Sequence, residues 1–262
     1  MLITLGNYRI SYQSAGQGLP LLLMHAFPLD QSIFHPQREA LSAVAPLLTF
    51  DAPGVGESAP AAVTIDDIAD IAAALLDANK IERAVVGGVS MGGYAAFAFA
   101  RRHPGRLRGL ILANTRAVAD TADAKKGRRD MAAVALEQGA AEVARRMLPK
   151  LLGETTRRDR PAVVDRVRAI AESVPGETIG RLLDALANRA DSTDLLSRIS
   201  VPALVLAGEE DTLAPPQEAS QWAARIPNAR FVAISDAGHL PNLETPEPFN
   251  AAVREFVESL PK

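Results

Sequence analysis

No cysteine occurs among the 262 residues. Disulfides, thiolate zinc sites, iron–sulfur clusters and a cysteine nucleophile are thereby excluded. The absence does not fix the compartment, because many exported proteins also lack cysteine. Neither sign of charge dominates: 28 Lys and Arg stand against 31 Asp and Glu, a net charge of −3. That balance points neither to a nucleic-acid binder nor to a basic membrane-surface protein. Long apolar runs are missing too. The longest early one, LPLLLMHAF at 19–27, falls far short of the roughly 20 residues that span a bilayer. No basic segment and small-residue cleavage site frame it, so it does not read as a signal peptide and cytoplasm is the default expectation. Repeats and low-complexity segments are absent. Histidine is scarce, at four residues, so each can be weighed as a candidate base.

What is present suits one large domain, or one domain carrying an insertion. With 48% hydrophobic and 23% charged residues, the chain is of ordinary globular composition. Tyr8 to Gln13 alternates in the manner of a half-buried strand. Continuous apolar runs follow at 19–24, 44–51, 84–86, 107–113 and 201–207, with a last strand at 230–234. Such runs fit strands buried on both faces of a parallel sheet. Thr64 and Asp67 form a capping-box pair that opens a helix whose apolar face is Ile65, Ile68, Ala72, Leu75 and Leu76. The chain closes with a helix presenting Phe249, Val253, Phe256, Val257 and Leu260 on one face. Between 117 and 197 the composition shifts to Ala, Arg, Asp and Glu and reads as short helices broken near Gly139, Gly153, Pro161 and Pro175. Alternating strands and helices predict a mostly parallel sheet with helices on both faces. The expected organisation is a core of 1–116 and 198–262, with 117–197 inserted as a helical cap over one edge.

Residues 87–93 read GGVSMGG, four glycines around Ser90 where a strand gives way to a helix. Gly88, Ser90 and Gly92 make the pattern G-x-S-x-G, which carries a mechanism in that setting. A sharp strand-to-helix turn strains the serine and brings residues two before and two after it too close for a Cβ. The turn exposes the hydroxyl and aims the backbone N–H of Met91, at the helix N-terminus, where an anion can develop. A glycine-rich turn with an incidental serine is the plainer alternative. A phosphate-binding loop fits less well, because Val89 stands where G-x-G-x-x-G needs glycine and the GK[ST] of a nucleotide loop is missing.

A serine nucleophile needs a base, and the base needs an orienting carboxylate. His103 follows a helix, where a cation suits the dipole. His35 lies in a polar segment before Pro36, and His25 ends the first buried strand. His239, in DAGHLPNLETP after the last strand, would emerge at the carboxyl edge of the sheet beside Ser90. The acid should follow a strand at that edge. Glu209, Glu210 and Asp211 follow the run at 201–207, and Asp211, furthest beyond the strand, is preferred. Asp236 is the rival, but three residues from His239 it reads as a turn-former. The chain order Ser90, Asp211, His239 is that of α/β-hydrolases, not of chymotrypsin or subtilisin.

Over nearly its whole length the chain resembles the α/β-hydrolase family. The matching segments are HAFPLD (25–30), DAPGVGES (51–58), GGVSMGG (87–93), GEEDTLAPP (208–216) and DAGHLPNLETPEPF (236–249). The resemblance implies an α/β-hydrolase fold with an inserted helical cap. It implies that HAFP is the oxyanion loop, with the N–H of Phe27 paired with that of Met91, although Ala26 replaces the usual glycine. Relatives that displace halide or open epoxides use an aspartate at the elbow, so Ser90 argues against both. Acyl transfer to water remains: esters, lactones, thioesters and some carbon–carbon cleavages, with small bacterial esterases and 3-oxoadipate enol-lactonase-like proteins the most similar in wording. Cofactor-free perhydrolases share the triad. The expectation is a serine hydrolase of small carboxylic esters or lactones, needing no metal or organic cofactor and engaging no nucleic acid or membrane, as a monomer or homodimer. His25, Arg116, Met131 and Met147 are candidate substrate-binding residues. Arg116 could hold a substrate carboxylate, as an anionic enol-lactone would require, or could be a surface arginine. The methionines, with Leu136 and Leu148, could line an acyl pocket or simply pack helices. A non-catalytic ligand-binding module on the same fold is the alternative from another class.

Overall fold

The computed structural model describes residues 1–261. Its strands are β1 (Leu2–Leu5), β2 (Tyr8–Ala15), β3 (Leu21–Met24), β4 (Leu47–Phe50), β5 (Ala84–Val89), β6 (Leu107–Ala113), β7 (Ala203–Gly208) and β8 (Ala229–Ile234). They form one sheet in the order β1-β2-β4-β3-β5-β6-β7-β8. β1–β2 and β2–β4 pair antiparallel, and every later pair is parallel. The apolar runs in β3, β4, β5 and β7 are buried at every position, as strands covered on both sides must be. The edge strands β1 and β8 are only partly covered.

The helices are α1 (His35–Leu41), α2 (Ile65–Ala78), α3 (Met91–Arg102), α4 (Ala122–Gln138), α5 (Ala140–Leu151), α6 (Glu154–Asp159), α7 (Pro161–Ser173), α8 (Gly176–Ala187), α9 (Pro216–Ala223), α10 (Pro241–Glu244) and α11 (Pro246–Ser259). The Thr64–Asp67 capping box forms in both directions and starts α2. Gly139, Gly153, Pro161 and Pro175 all fall at helix boundaries.

Side chains alternate across the pleat and so build two apolar layers. Leu22, Met24, Leu48, Phe50 and Val86 face α2, α3 and α9. Leu21, Leu23, Leu47 and Val85 face α1 and α11. At about 1.5–3 kcal/mol for each large aliphatic side chain fully buried, these layers supply the main force that holds the strand ends in register. Helices α4 to α8 occupy the stretch between β6 and β7, and they extend both layers. Ala135, Ile179, Leu182 and Leu186 join the α2–α3 side, whereas Ala144, Leu148, Leu151 and Val167 join the α1–α11 side. This segment sits against loops that follow the carboxyl ends of strands: Thr178 bonds Gly54 O, Arg166 bonds Ser32 O, and Thr155 bonds Glu210. No described helix is long and apolar enough to cross a membrane.

Candidate active site

Ser90 is the single residue between β5 and α3, and its backbone stands at φ 54° and ψ −109°. This left-handed φ costs an L-residue energy and persists only where the surroundings enforce it. The enforcement is visible. Ser90 N–H donates to Ala113 O at 2.9 Å, and Ser90 O accepts from Gly93 N–H, Tyr94 N–H and the Thr115 hydroxyl at 2.9, 3.1 and 3.0 Å. A Cβ on Gly88 would run into the Gly92 backbone, and one on Gly92 would run into the Met24 carbonyl. Both positions therefore require glycine. Ser90 is half-buried, at the N-terminus of a twelve-residue helix.

Two further backbone groups follow the carboxyl ends of β3 and β5. Phe27 and Met91 are both buried, and neither backbone N–H has a hydrogen-bond acceptor among the described residues. Buried amides are rarely left unpaired. One lies in the loop after β3 and the other at the first position of α3, two points on the carboxyl side of adjacent strands.

Asp211 lies three residues past β7 and is buried, its side chain fully so. Its Oδ1 accepts the N–H groups of Leu213 and Ala214 at 2.8 and 3.1 Å. Its Oδ2 accepts from His239 Nδ1 at 2.8 Å and from Asn114 Nδ2 at 2.7 Å. Burial alone would push this carboxyl up; the charge and hydrogen bond of His239, with the bonds from Asn114 and Ala214, outweigh it and hold it below the ordinary aspartate value. An ionised Asp211 fixes the proton of a neutral His239 on Nδ1 and leaves Nε2 as the acceptor. Nε2 has no partner among the described residues, and the Ser90 hydroxyl forms no hydrogen bond to it. Nucleophile–base contacts of this kind are often long until substrate docks.

Asp236, the other candidate acid, is exposed, stands at φ 55° and makes the turn that precedes His239. Glu209 does not bond His239, and Glu210 points to Thr155, with Thr155 N–H at 2.9 Å from its Oε2. The end of β6 ties the parts together. Ala113 O and Thr115 hold the Ser90 backbone, and Asn114 between them holds Asp211 and, at 3.0 Å, Gly238 O. Asn114 belongs to the candidate site through these bonds, and the sequence reading passes over it. Its signal was an asparagine directly after an apolar strand, a residue type that tolerates the φ of 47° it adopts.

The other candidates fare differently. His25 is buried, donates from Nδ1 to Ala26 O at 3.0 Å and accepts Ala52 N–H on Nε2 at 3.0 Å. Both ring nitrogens are spent fastening the 25–27 loop to the 51–52 loop, so neither is free for a substrate. Arg116 is paired with Glu218 Oε1 at 2.6 Å, and that hydrogen bond raises its already high pKa. Met131 is half-buried against the α2–α3 layer, and Met147 is half-buried between both layers. Leu136 is 63% exposed and lines an open surface groove with Val63, Glu177 and Arg181. His103 closes α3 and pairs with Asp70 at 2.8 Å, and His35 is exposed at the start of α1. Among the described residues no cluster of three or more His, Asp or Glu is arranged to hold a metal ion.

Comparison with known proteins gives this geometry its family. The model described as alpha/beta hydrolase fold matches residues 20–246, so the chain belongs to the α/β-hydrolase family. It is similar to a thermophilic esterase from Thermogutta terrifontis: 40% identity, TM-score 0.95, covering 98% of this chain and 97% of that one. An enol-lactonase from Burkholderia xenovorans superposes with a TM-score of 0.92 at 29% identity, over 99% of this chain and 100% of that one. A pimeloyl-[acyl-carrier protein] methyl ester esterase from Neisseria meningitidis is 32% identical over 250 residues, 91% of this chain and 76% of its own length.

Proposed function

We propose that this protein is a carboxylic ester hydrolase that cleaves small esters or lactones through an acyl-enzyme on Ser90. The observation that carries the reading is the Asp211–His239 hydrogen bond of 2.8 Å, set at the sheet edge where Ser90 is held in a strained turn. Relatives bearing esterase and enol-lactonase names, with high coverage of the chain, support the same class.

The chemistry follows from the placement. His239 Nε2 takes the Ser90 proton as Oγ attacks the ester carbonyl. Asp211 holds the Nδ1–H tautomer and stabilises the imidazolium that forms. The unpaired N–H groups of Phe27 and Met91 receive the oxyanion; losing one such donor typically costs about 100- to 1,000-fold in rate. The imidazolium returns its proton to the departing alkoxide. Water, deprotonated by His239, then attacks the acyl-enzyme and frees Ser90. Residues 117–197 act as a cap on a core of 1–116 and 198–262.

The Arg116–Glu218 pair favours neutral esters over anionic lactones, because that guanidinium is already matched by a carboxylate. The test is turnover of p-nitrophenyl acetate, butyrate and octanoate, a simple lactone and a dicarboxylate-derived enol-lactone, each beside Ser90→Ala, together with covalent labelling by a fluorophosphonate. Serine-dependent turnover of the neutral esters is expected. A strong preference for the anionic lactone would make Arg116 the next residue to mutate. Folded protein that neither labels nor turns over any of the panel would leave a ligand-binding module in its place.

A further inference from the structure

Three consecutive backbone amides, those of Gly238, His239 and Leu240, set the position of the histidine. Gly238 and Leu240 N–H both donate to Glu244 Oε1 at 2.9 Å. His239 N–H donates to Leu151 O, at the end of α5, at 3.2 Å. The other oxygen of the same carboxylate, Glu244 Oε2, accepts Gly153 N–H, from the junction between α5 and α6, at 2.7 Å. Glu244 is buried, and no Lys, Arg or His pairs with it among the described residues. A buried carboxylate without a counter-ion is costly unless hydrogen bonds replace its water. Here three backbone donors do so, and they come from two separate parts of the chain.

The two parts also touch directly. A Cβ on Gly153 would press on Gly238 N, and one on Gly238 would collide with Gly153. Two residues on, Thr155 donates through its N–H and hydroxyl to Glu210, in the loop that carries Asp211, at 2.9 and 2.5 Å. The α5–α6 junction is thus bonded to the base-bearing loop and the acid-bearing loop at once.

We propose that Glu244 is a positioning residue for His239, and that by gripping Gly153 it makes the histidine's placement depend on docking of the α5–α6 junction. The inference rests on the reading of His239 as the base. Glu244 touches no reacting atom. An isosteric amide can offer its oxygen to Gly238 and Leu240, but its NH2 then faces Gly153 N–H, and the link between junction and histidine is lost. Misplacing a catalytic group by about 1 Å can cost on the order of 100-fold.

The experiment is Glu244→Gln, followed by steady-state kinetics, amide hydrogen exchange and the proton resonance of His239 Nδ1–H. The expected result is faster exchange at Gly153, a shifted or broadened Nδ1–H resonance, and kcat down about 10- to 100-fold with KM within about threefold. Faster exchange at Gly153 with kcat and the Nδ1–H resonance unchanged would overturn the proposal. Should wild-type protein show no Ser90-dependent turnover, the catalytic reading fails, and the resonance and exchange data decide the positioning claim without it. Should Glu244→Gln not fold, native-state exchange of the wild type decides: amides of Gly153, Gly238 and Leu240 protected to within about tenfold of one another support a single unit, and a Gly153 amide exchanging faster than that overturns it.

Discussion

Asn114 shares one oxygen of Asp211 with His239: the amide of the first and the ring N–H of the second meet on Oδ2 at 2.7 and 2.8 Å. The same amide reaches Gly238 O, next to the histidine in the chain. One buried side chain just past β6 therefore braces both Asp211 and the loop that carries His239.

That bracing is testable. Asn114→Ala leaves Gly238 O unsatisfied and takes a donor from Asp211, a loss of about 1–3 kcal/mol by the usual cost of an unpaired buried group. Asn114→Asp sets a second carboxylate against the first, and like charges at that range push one pKa up. Its stability deficit against wild type should shrink as pH falls from 8 to 5, because protonation relieves the repulsion. Urea denaturation at the two pH values measures this.

Asp211→Asn should lower kcat by several orders of magnitude through the wrong histidine tautomer, whereas Asp236→Asn should stay within a few-fold of wild type. Ser90→Ala and His239→Ala should lose nearly all turnover and remain folded by circular dichroism. An active Asp211→Asn beside an inactive Asp236→Asn would reverse the assignment of the acid.

The depressed pKa of Asp211 fixes the sign of one acid effect. A carboxyl lower in the folded than in the unfolded chain adds stability that is present above the unfolded value, near 3.9, and lost as pH falls from there through the folded value. The stability gap between wild type and Asp211→Asn should therefore narrow below about pH 4. Thermal denaturation across an acid series reads the gap; a gap that widened would contradict the hydrogen-bonding that holds this carboxylate ionised.

Ser90→Gly and Ser90→Ala should both be inactive yet differ in stability. Alanine keeps the Cβ at φ 54°, and glycine removes it. Strain of this kind costs on the order of 1–3 kcal/mol, so Ser90→Gly should be the more stable by about 1 kcal/mol after its extra unfolded-state entropy is counted. Equal midpoints in guanidinium would show that the turn is not strained.

How legible all this was depended on distance along the chain. Gly88, Ser90 and Gly92 announce their turn because the steric demand is local. Gly139, Gly153, Pro161 and Pro175 mark helix ends for the same reason. Asp211 and His239 could be placed because strand ends collect at one edge of a parallel sheet. Asn114 could not, since its partner is 97 positions away and only its backbone sign hinted at anything special. Arg116 looked available for a substrate until Glu218, 102 positions on, was seen beside it. Glu244 stood in plain view within the quoted C-terminal motif, but its grip on Gly153 spans 91 positions. The short edge strand β1 escaped notice because Leu2 is 46% exposed and four residues give little alternation to read.

The way the 117–197 segment divides its apolar side chains constrains anyone who would exchange it. Because α4 and α8 join one layer, α7 joins the other and α5 joins both, with Val143 on the first side and Ala144, Leu148 and Leu151 on the second, a transplanted segment must match two seams, not one. Excision would uncover greasy surface on both sides of the sheet at once. Wholesale grafting of this segment therefore puts solubility at risk.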